Sequence, residues 1–505
     1  MTRVFTGRSV AGRRRFRLLL VSAALAPMIP AAAWAETVIS DARTAPVATS
    51  TVAGGGPDDL NVANGGSVTP TTAGAAITLD SNNAVTNLGS ITFNNLDDSI
   101  GILALGGRTG LIQNAATISL LEDYTPADAD GDGDLDGSFT QGARRYGLRI
   151  TGPEPFYGSV VNAAGGAITV EGADSAAISI ETRLQGELIL AGGTTVTGDR
   201  SIAVRADEVA GSVRVTGGVA ATGEGAVGLQ LGRVDGAVVL QGAMTSTGYR
   251  FTDHYPDDTA TKFDSDDLKQ NGGAVRLTGS IGGGVLIDRP PPETDSNVVD
   301  EDGDGVDDAS EQTGFIASYG AAPAIAIGGP SDVVLGRVGG GEDAFGFVNK
   351  GTIAGYGVHN GSTATGLRIG GTGARTVIEG GINNRAGVIE AQAYQAEATA
   401  IDLAAGALVP ELINSGGSIS ASITTSGSQA ATAVLVEQGA SLSALRNHGL
   451  VSAAVTGAAG DAVAVRDRSG SLSLIENTGV IQAGVAPPSG TTPTGRPVAL
   501  DLTAN

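Results

Sequence analysis

Leu188-Ile-Leu-Ala-Gly-Gly-Thr-Thr-Val-Thr-Gly198, Val213-Arg-Val-Thr-Gly-Gly-Val-Ala-Ala-Thr-Gly223 and Val238-Val-Leu-Gln-Gly-Ala-Met-Thr-Ser-Thr-Gly248 are three copies of one segment, each 25 residues after the last. Three ladders keep step within them: Leu188, Val213 and Val238; Gly192, Gly217 and Gly242; and the Thr-Gly pairs ending at Gly198, Gly223 and Gly248. Coincident ladders at one short period mean a structural unit that repeats. Outside this block a looser unit recurs. An apolar residue stands two before an asparagine, and a β-branched residue follows it: Val85, Asn87, Ile91; Ile112, Asn114, Ile118; Val160, Asn162, Ile168. The pattern resumes at Asn349, Asn384, Asn414, Asn447 and Asn477, spaced 35, 30, 33 and 30. Short alternating strands opened by a small residue fall between these points, such as Gly147-Leu-Arg-Ile150, Ala177-Ile-Ser-Ile180, Ala274-Val-Arg-Leu277 and Ala400-Ile-Asp-Leu403.

Alternation with period two marks strands, and no stretch sustains helical spacing. Two or three strands per 25–35 residues, divided by Gly, Asn and Asp, predict an all-β chain: a right-handed parallel β-helix solenoid with acidic loop insertions. Asparagine suits such a corner, because it tolerates the left-handed conformation and can hydrogen-bond up a stack. A propeller blade needs a longer period, and the leucine-rich pattern is missing. About 420 residues then give roughly 12–15 coils, a rod of about 60–75 Å at ~4.8 Å per coil.

Composition agrees. Of 505 residues 78 are glycine, none is cysteine and 4% are aromatic, which suits a narrow core of small side chains and excludes a disulfide-stapled module. The formal charge of −23 argues against nucleic acid as a partner.

The first 35 residues read as a signal peptide. Six arginines precede an apolar run from Leu18 to Ala33, and Ala33-Trp-Ala35 offers small residues at a cleavage site before Glu36. Cleavage takes the charge from −23 to −29, and no transmembrane segment is expected afterwards. Residues 36–80 are read as an N-terminal segment or cap and 81–505 as the solenoid.

Insertions at 121–136, 253–267 and 288–311 carry 23 of the 53 acids against only Lys262 and Arg289 as bases. Each lies ahead of a small-then-apolar strand (Gly147-Leu148, Ala274-Val275, Ala324-Ile325), which predicts that all three leave one edge of the rod. Two have calcium-loop spacing. In the first, Asp300, Asp302 and Asp304 converge, Gly305 turns the chain, Val306 offers a carbonyl, Asp308 acts directly or through water and Glu311 closes the shell. The other is Asp128, Asp130, Asp132, Asp134 and Asp136, a weaker site because Phe139 stands where the closing glutamate would be. Calcium is the metal expected. The insertion at 253–267 lacks the spacing. Tyr249, Phe251, His254 and Tyr255 around it could form a contact patch, although a disordered acidic loop is the blander expectation.

Enzyme signatures are thin. Three histidines (His254, His359, His448), no cysteine and no hydrolase or zinc-protease motif give no catalytic residues and an expected non-enzyme. The alternative is a polysaccharide-active β-helix enzyme, a lyase or glycosidase. A groove lined by three or more carboxylates and an arginine on a flat face would favour it.

The Asn-x-Gly coils, the export signal and the lack of cysteine resemble the passenger region of Gram-negative autotransporters over about residues 80–505. The resemblance implies an exported structural or adhesive module (an adhesin) at the cell surface or outer membrane. It implies contact with the outer-membrane export machinery and with surface glycans or other cells. It also implies a C-terminal β-barrel. The chain stops at Val498-Ala-Leu-Asp-Leu502, read as the second strand of a coil, so a truncated product is expected, periplasmic or secreted if no barrel follows.

Overall fold

The computed structural model describes residues 36–505 apart from 130, 132–134, 257–260, 296, 304–305, 340–343 and 505. The expected signal peptide, together with Asp130, Asp132, Asp134 and Asp304, lies outside the described residues.

From Thr37 onward the chain winds through three parallel sheets of 16, 14 and 14 strands. Each coil adds one short strand to each sheet in turn, as Leu188–Leu190, Gly193–Thr197 and Ile202–Val209 do. All named pairings run in parallel between successive coils, so the molecule is a parallel β-helix. Its 14 coils at ~4.8 Å give a stack of about 62 Å. Residues 36–80, read as a cap, supply the first two coils: Thr37–Ile39 pairs with Leu60–Val62, which pairs with Val85–Asn87. Three strands make a coil, where the sequence had suggested two or three. Pro497–Asp501 is accordingly the third strand of its coil and not the second, paired with Asp461–Asp467.

The two repeat registers are one column. Val85, Ile112, Val160, Leu188, Val213, Val238, Val285, Phe347, Ile382, Leu412 and Leu445 are successive inward partners in the first sheet. Two positions on, the column changes character. Asn87 Nδ2 donates to Asn114 Oδ1 at 2.7 Å, and Asn114 Nδ2 to Asn162 Oδ1 at 2.8 Å. Leu190, Val215, Leu240 and Ile287 then take the same place. Asn349, Asn384, Asn414, Asn447 and Asn477 rebuild the ladder at 2.8–2.9 Å. Within each ladder the side-chain amides satisfy one another from coil to coil. At three of the asparagines, Asn87, Asn349 and Asn447, the side chain also accepts the N–H of Gly89, Gly351 and Gly449 two residues on. In the aliphatic coils Gly192, Gly217 and Gly242 donate to the main-chain carbonyl one coil below, so no side-chain acceptor is needed. None of the ladder asparagines has a positive φ, so the left-handed role expected of them is not used. That role falls to Asn95, Asp98, Arg144, Asp174 and Arg200, at the corner between the second and third sheets.

The insertions do not share one edge. Those at 121–136 and 253–267 join a second-sheet strand to a third-sheet strand, Thr117–Leu121 to Tyr146–Thr151 and Ala243–Thr247 to Gly273–Leu277. The third joins Val285–Ile287 of the first sheet to Phe315–Tyr319 of the second. Phe315-Ile-Ala-Ser-Tyr319 alternates too weakly to be noticed as a strand, and overlooking it displaces the loop by one corner. The first insertion is stapled at its base by a buried pair, Arg145 Nη1 to Glu122 Oε2 at 3.2 Å, while the Glu122 carboxylate also takes the N–H groups of Gln141 and Gly142.

Candidate functional site

The described residues of the second insertion pack on the coils beneath them through the aromatic residues in and around it. Tyr249 is buried at 1% exposure, and its hydroxyl donates to Ser362 Oγ at 2.9 Å and accepts from Gln270 Nε2 at 2.8 Å. Its ring meets His359 edge-on at 4.5 Å, Phe263 meets the same histidine at 4.9 Å, and Tyr255 bridges Phe263 and Phe251. In a chain this poor in aromatics, such a chain of ring contacts fixes the loop on the coils beneath it.

The anchored loop lays His254 flat against Tyr394, with ring centroids 3.5 Å apart and 3° between planes, and its Nδ1 donates to the Val358 carbonyl at 2.5 Å. Val358 has φ +43°, a left-handed conformation that costs a β-branched residue appreciable strain. The strain coincides with a bulge between Tyr356 and Asn360, where the register against Val388–Tyr394 shifts. Bulges re-aim side chains. Here the shift opens a pocket of about 360 Å³ lined by Asp253, His254, Tyr319, Tyr356, Gln392 and Tyr394, with Thr252 and Val358.

Tyr319 and Tyr356 are register partners with ring centroids 5.5 Å apart, and Tyr356 donates its hydroxyl to Glu390 Oε1 at 2.5 Å. Burial raises both phenols above their usual range, with Glu390 adding to the rise at Tyr356 and Asp253 at Tyr319. Both therefore stay protonated and act as donors, not bases. Three tyrosine rings, an imidazole, an amide and one carboxylate offer flat faces with polar groups at their rims. That arrangement holds an uncharged polar ring by stacking and hydrogen bonding.

Burial, followed by the nearby His254, pushes His359 down to about 4. The folded protein keeps it neutral, whereas the unfolded chain protonates it below about 6.5. Stability from this residue is full above pH ~6.5 and falls as pH drops towards ~4, by up to about 3 kcal/mol, with no further change below. Urea midpoints at pH 7 and 4.5 should therefore differ more for the wild type than for His359→Gln. Equal differences would refute the assignment.

The expected metal ligands are partly brought together and partly separated. Asp128 accepts the Gly131 N–H at 2.6 Å, and Asp300 accepts that of Gly303 at 2.8 Å, the same turn in both loops. Asp136 accepts from Ala129 N within its loop. Its carboxylate also gathers with Asp264 and Asp266, within 4.8 Å of one another, so the first two insertions meet through acids. Arg250 adds to this contact by donating to the Gly137 carbonyl at 2.7 Å. In the third insertion Glu311 lies buried, accepting Gln241 Nε2 at 2.6 Å. Asp308 accepts the Glu301 N–H, and the Glu301 carboxylate beside it pushes its carboxyl up to about 6. Among the described residues, no three of Asp300, Asp302, Asp308 and Glu311 bring carboxylate oxygens within 4.8 Å of one another. The carbonyl-bearing Val306 belongs to the same stretch.

On the flat third face, a pocket of about 190 Å³ is lined by two carboxylates, Asp174 and Glu181, with Arg200 and Arg205. Asp174 is held by Arg200 at 2.7 Å, Glu181 by Arg149 at 2.8 Å, and Arg205 by Asp207 at 2.8 Å.

Tyr319, Tyr356 and Tyr394 were not singled out from the sequence. Their signal was present: three of the eight tyrosines are spaced 37 and 38 residues apart, one long coil each. Together these features define a parallel β-helix bearing an aromatic pocket beneath an anchored loop. Compared with protein-family models, curated sequences and solved structures, the chain gives no significant match.

Proposed function

We propose that this chain is an exported β-helix passenger of the autotransporter kind, a structural or adhesive rod displayed at the cell surface with calcium-ordered acidic loops. The observation that carries the reading is the cysteine-free stack of 14 coils, stable through backbone pairing and burial alone and preceded by an export-type N-terminus. A rod built this way can thread through a membrane pore unfolded and regain its structure coil by coil. The aromatic pocket at 253–254, 319, 356, 392 and 394 supplies a contact site for surface glycans. The test is to express the whole gene in a Gram-negative host, sequence the mature N-terminus and treat intact cells with protease. A start at Glu36 and digestion from outside support the reading; a start at Met1 or full protection overturns it.

The calcium part has its own test. Titration calorimetry should detect binding at millimolar calcium, weakening below pH ~6 as protons compete at Asp308. Asp300→Asn with Asp302→Asn should abolish the stronger component. No heat with the wild type at millimolar calcium would sink the metal reading.

A further inference from the structure

A second pocket, of about 370 Å³, opens on the outer face of the third sheet, across the strands Gly273–Leu277, Ile325–Ile327 and Ala364–Ile369. The outward register position there runs Arg276, Ala326, Arg368, Asp402. Alanine between two arginines leaves a gap flanked by long side chains that start from register positions two coils, or roughly 10 Å, apart. Thr365 and Thr372 bring hydroxyls to the lining, and Pro323 and Ala326 apolar surface.

The other arginines of this column are compensated: Arg149 by Glu181, Arg205 by Asp207, Arg368 by Asp402 and Arg466 by Asp501, at 2.8–3.1 Å. Arg276 differs. Its register neighbours are Gln230 and Ala326, and among the described residues it makes no ion pair or hydrogen bond. Burial alone acts on its guanidinium, drawing its pKa down with no carboxylate to oppose the effect. A half-buried cation without a partner is costly, and the chain has 53 acids from which one could have been placed beside it. The arrangement makes sense when the counter-charge arrives with a ligand.

We propose that this pocket binds an acidic saccharide, its carboxylate held between Arg276 and Arg368 and its hydroxyls met by Thr365 and Thr372. Charge selects the class. Arg276, Arg368 and Asp402 together carry one net positive charge, which matches a monoanionic carboxylate better than a dianionic phosphate. Size points the same way, since the volume is that of a small-molecule site and exceeds what one inorganic oxyanion fills. The proposal goes beyond surface display and does not depend on it: a rod retained inside the cell would have the same pocket.

The test uses the whole mature chain with three probes: tetragalacturonate, its fully methyl-esterified form of the same shape without charge, and inorganic sulfate. Calorimetry should show tetragalacturonate binding that weakens with salt and at least a tenfold loss for the ester. Arg276→Gln should lose tenfold or more, and Ala326→Asp should abolish binding while keeping or raising the melting temperature, because the new carboxylate neutralises Arg276 from within. Equal affinity for the ester, unchanged affinity in Arg276→Gln at an unchanged melting temperature, or binding of sulfate alone would overturn the proposal.

Discussion

Asn384→Ala is expected to remove about 3 kcal/mol of stability from the coils around it, more than any surface substitution in the rod. Asn384 is wholly buried in the middle of the second asparagine ladder. Its Oδ1 accepts Asn349 Nδ2 at 2.8 Å, and its Nδ2 lies within hydrogen-bonding distance of Asn414 Oδ1 at 2.9 Å and the Gly387 carbonyl at 3.0 Å. Truncation leaves those partners in a site water cannot readily enter, where each unmet group costs about 1–3 kcal/mol. Asn384→Leu should not rescue it. Leucine is native at the equivalent place in Leu240, but there its neighbours in the stack are Val215 and Ile287, which ask for no hydrogen bond, whereas Asn349 and Asn414 on either side of Asn384 do. Hydrogen exchange should show the loss confined to the coils near Asn384, because a solenoid couples mainly to its nearest neighbours. Uniform destabilisation, or none, would contradict the ladder as the source.

Gly242→Ala should be as damaging, for a steric reason. A Cβ there would sit 1.9 Å from the Gly217 carbonyl oxygen, and one at Gly217 would sit 2.3 Å from that of Gly192. These glycines form a column in which each turn rests directly on the backbone of the one below. Overpacking of this kind typically costs about 1–3 kcal/mol, and backbone cannot move aside as a flexible side chain can. The next position gives the control. At Gly193 and Gly218 an added Cβ meets nothing within 4 Å. The third copy of the repeat already has Ala243 there. Gly218→Ala should therefore be neutral or stabilising by up to about 1 kcal/mol. Thermal melts of the two variants side by side check the claim; similar losses in both would mean that general glycine flexibility, not close approach, governs the repeat.

That comparison shows how much the sequence alone determined. The ladders at Leu188, Val213 and Val238 and at Asn349 to Asn477 fixed the repeating unit, its strand character and the inward column. Repetition prints its period directly on the chain whenever like residues must stack. The sequence also set the asparagine register apart from the glycine-doublet register that interrupts it.

Tertiary structure alone decided what meets across coils and corners. It separated the third insertion from the other two, because the strand Phe315–Tyr319 intervenes. It gathered Asp136 with Asp264 and Asp266, which are more than a hundred residues away in the chain. Tyr319 and Tyr356 meet as register partners and Tyr394 joins them where the register shifts past Val358, while among the described residues Arg276 has no partner, its neighbours in the stack being Gln230 and Ala326. Burial within a coil follows from local alternation, so the sequence records it. Contacts on the outer faces depend on coil length and register, which vary from turn to turn, and there the acids of the three insertions are divided between two edges of the solenoid.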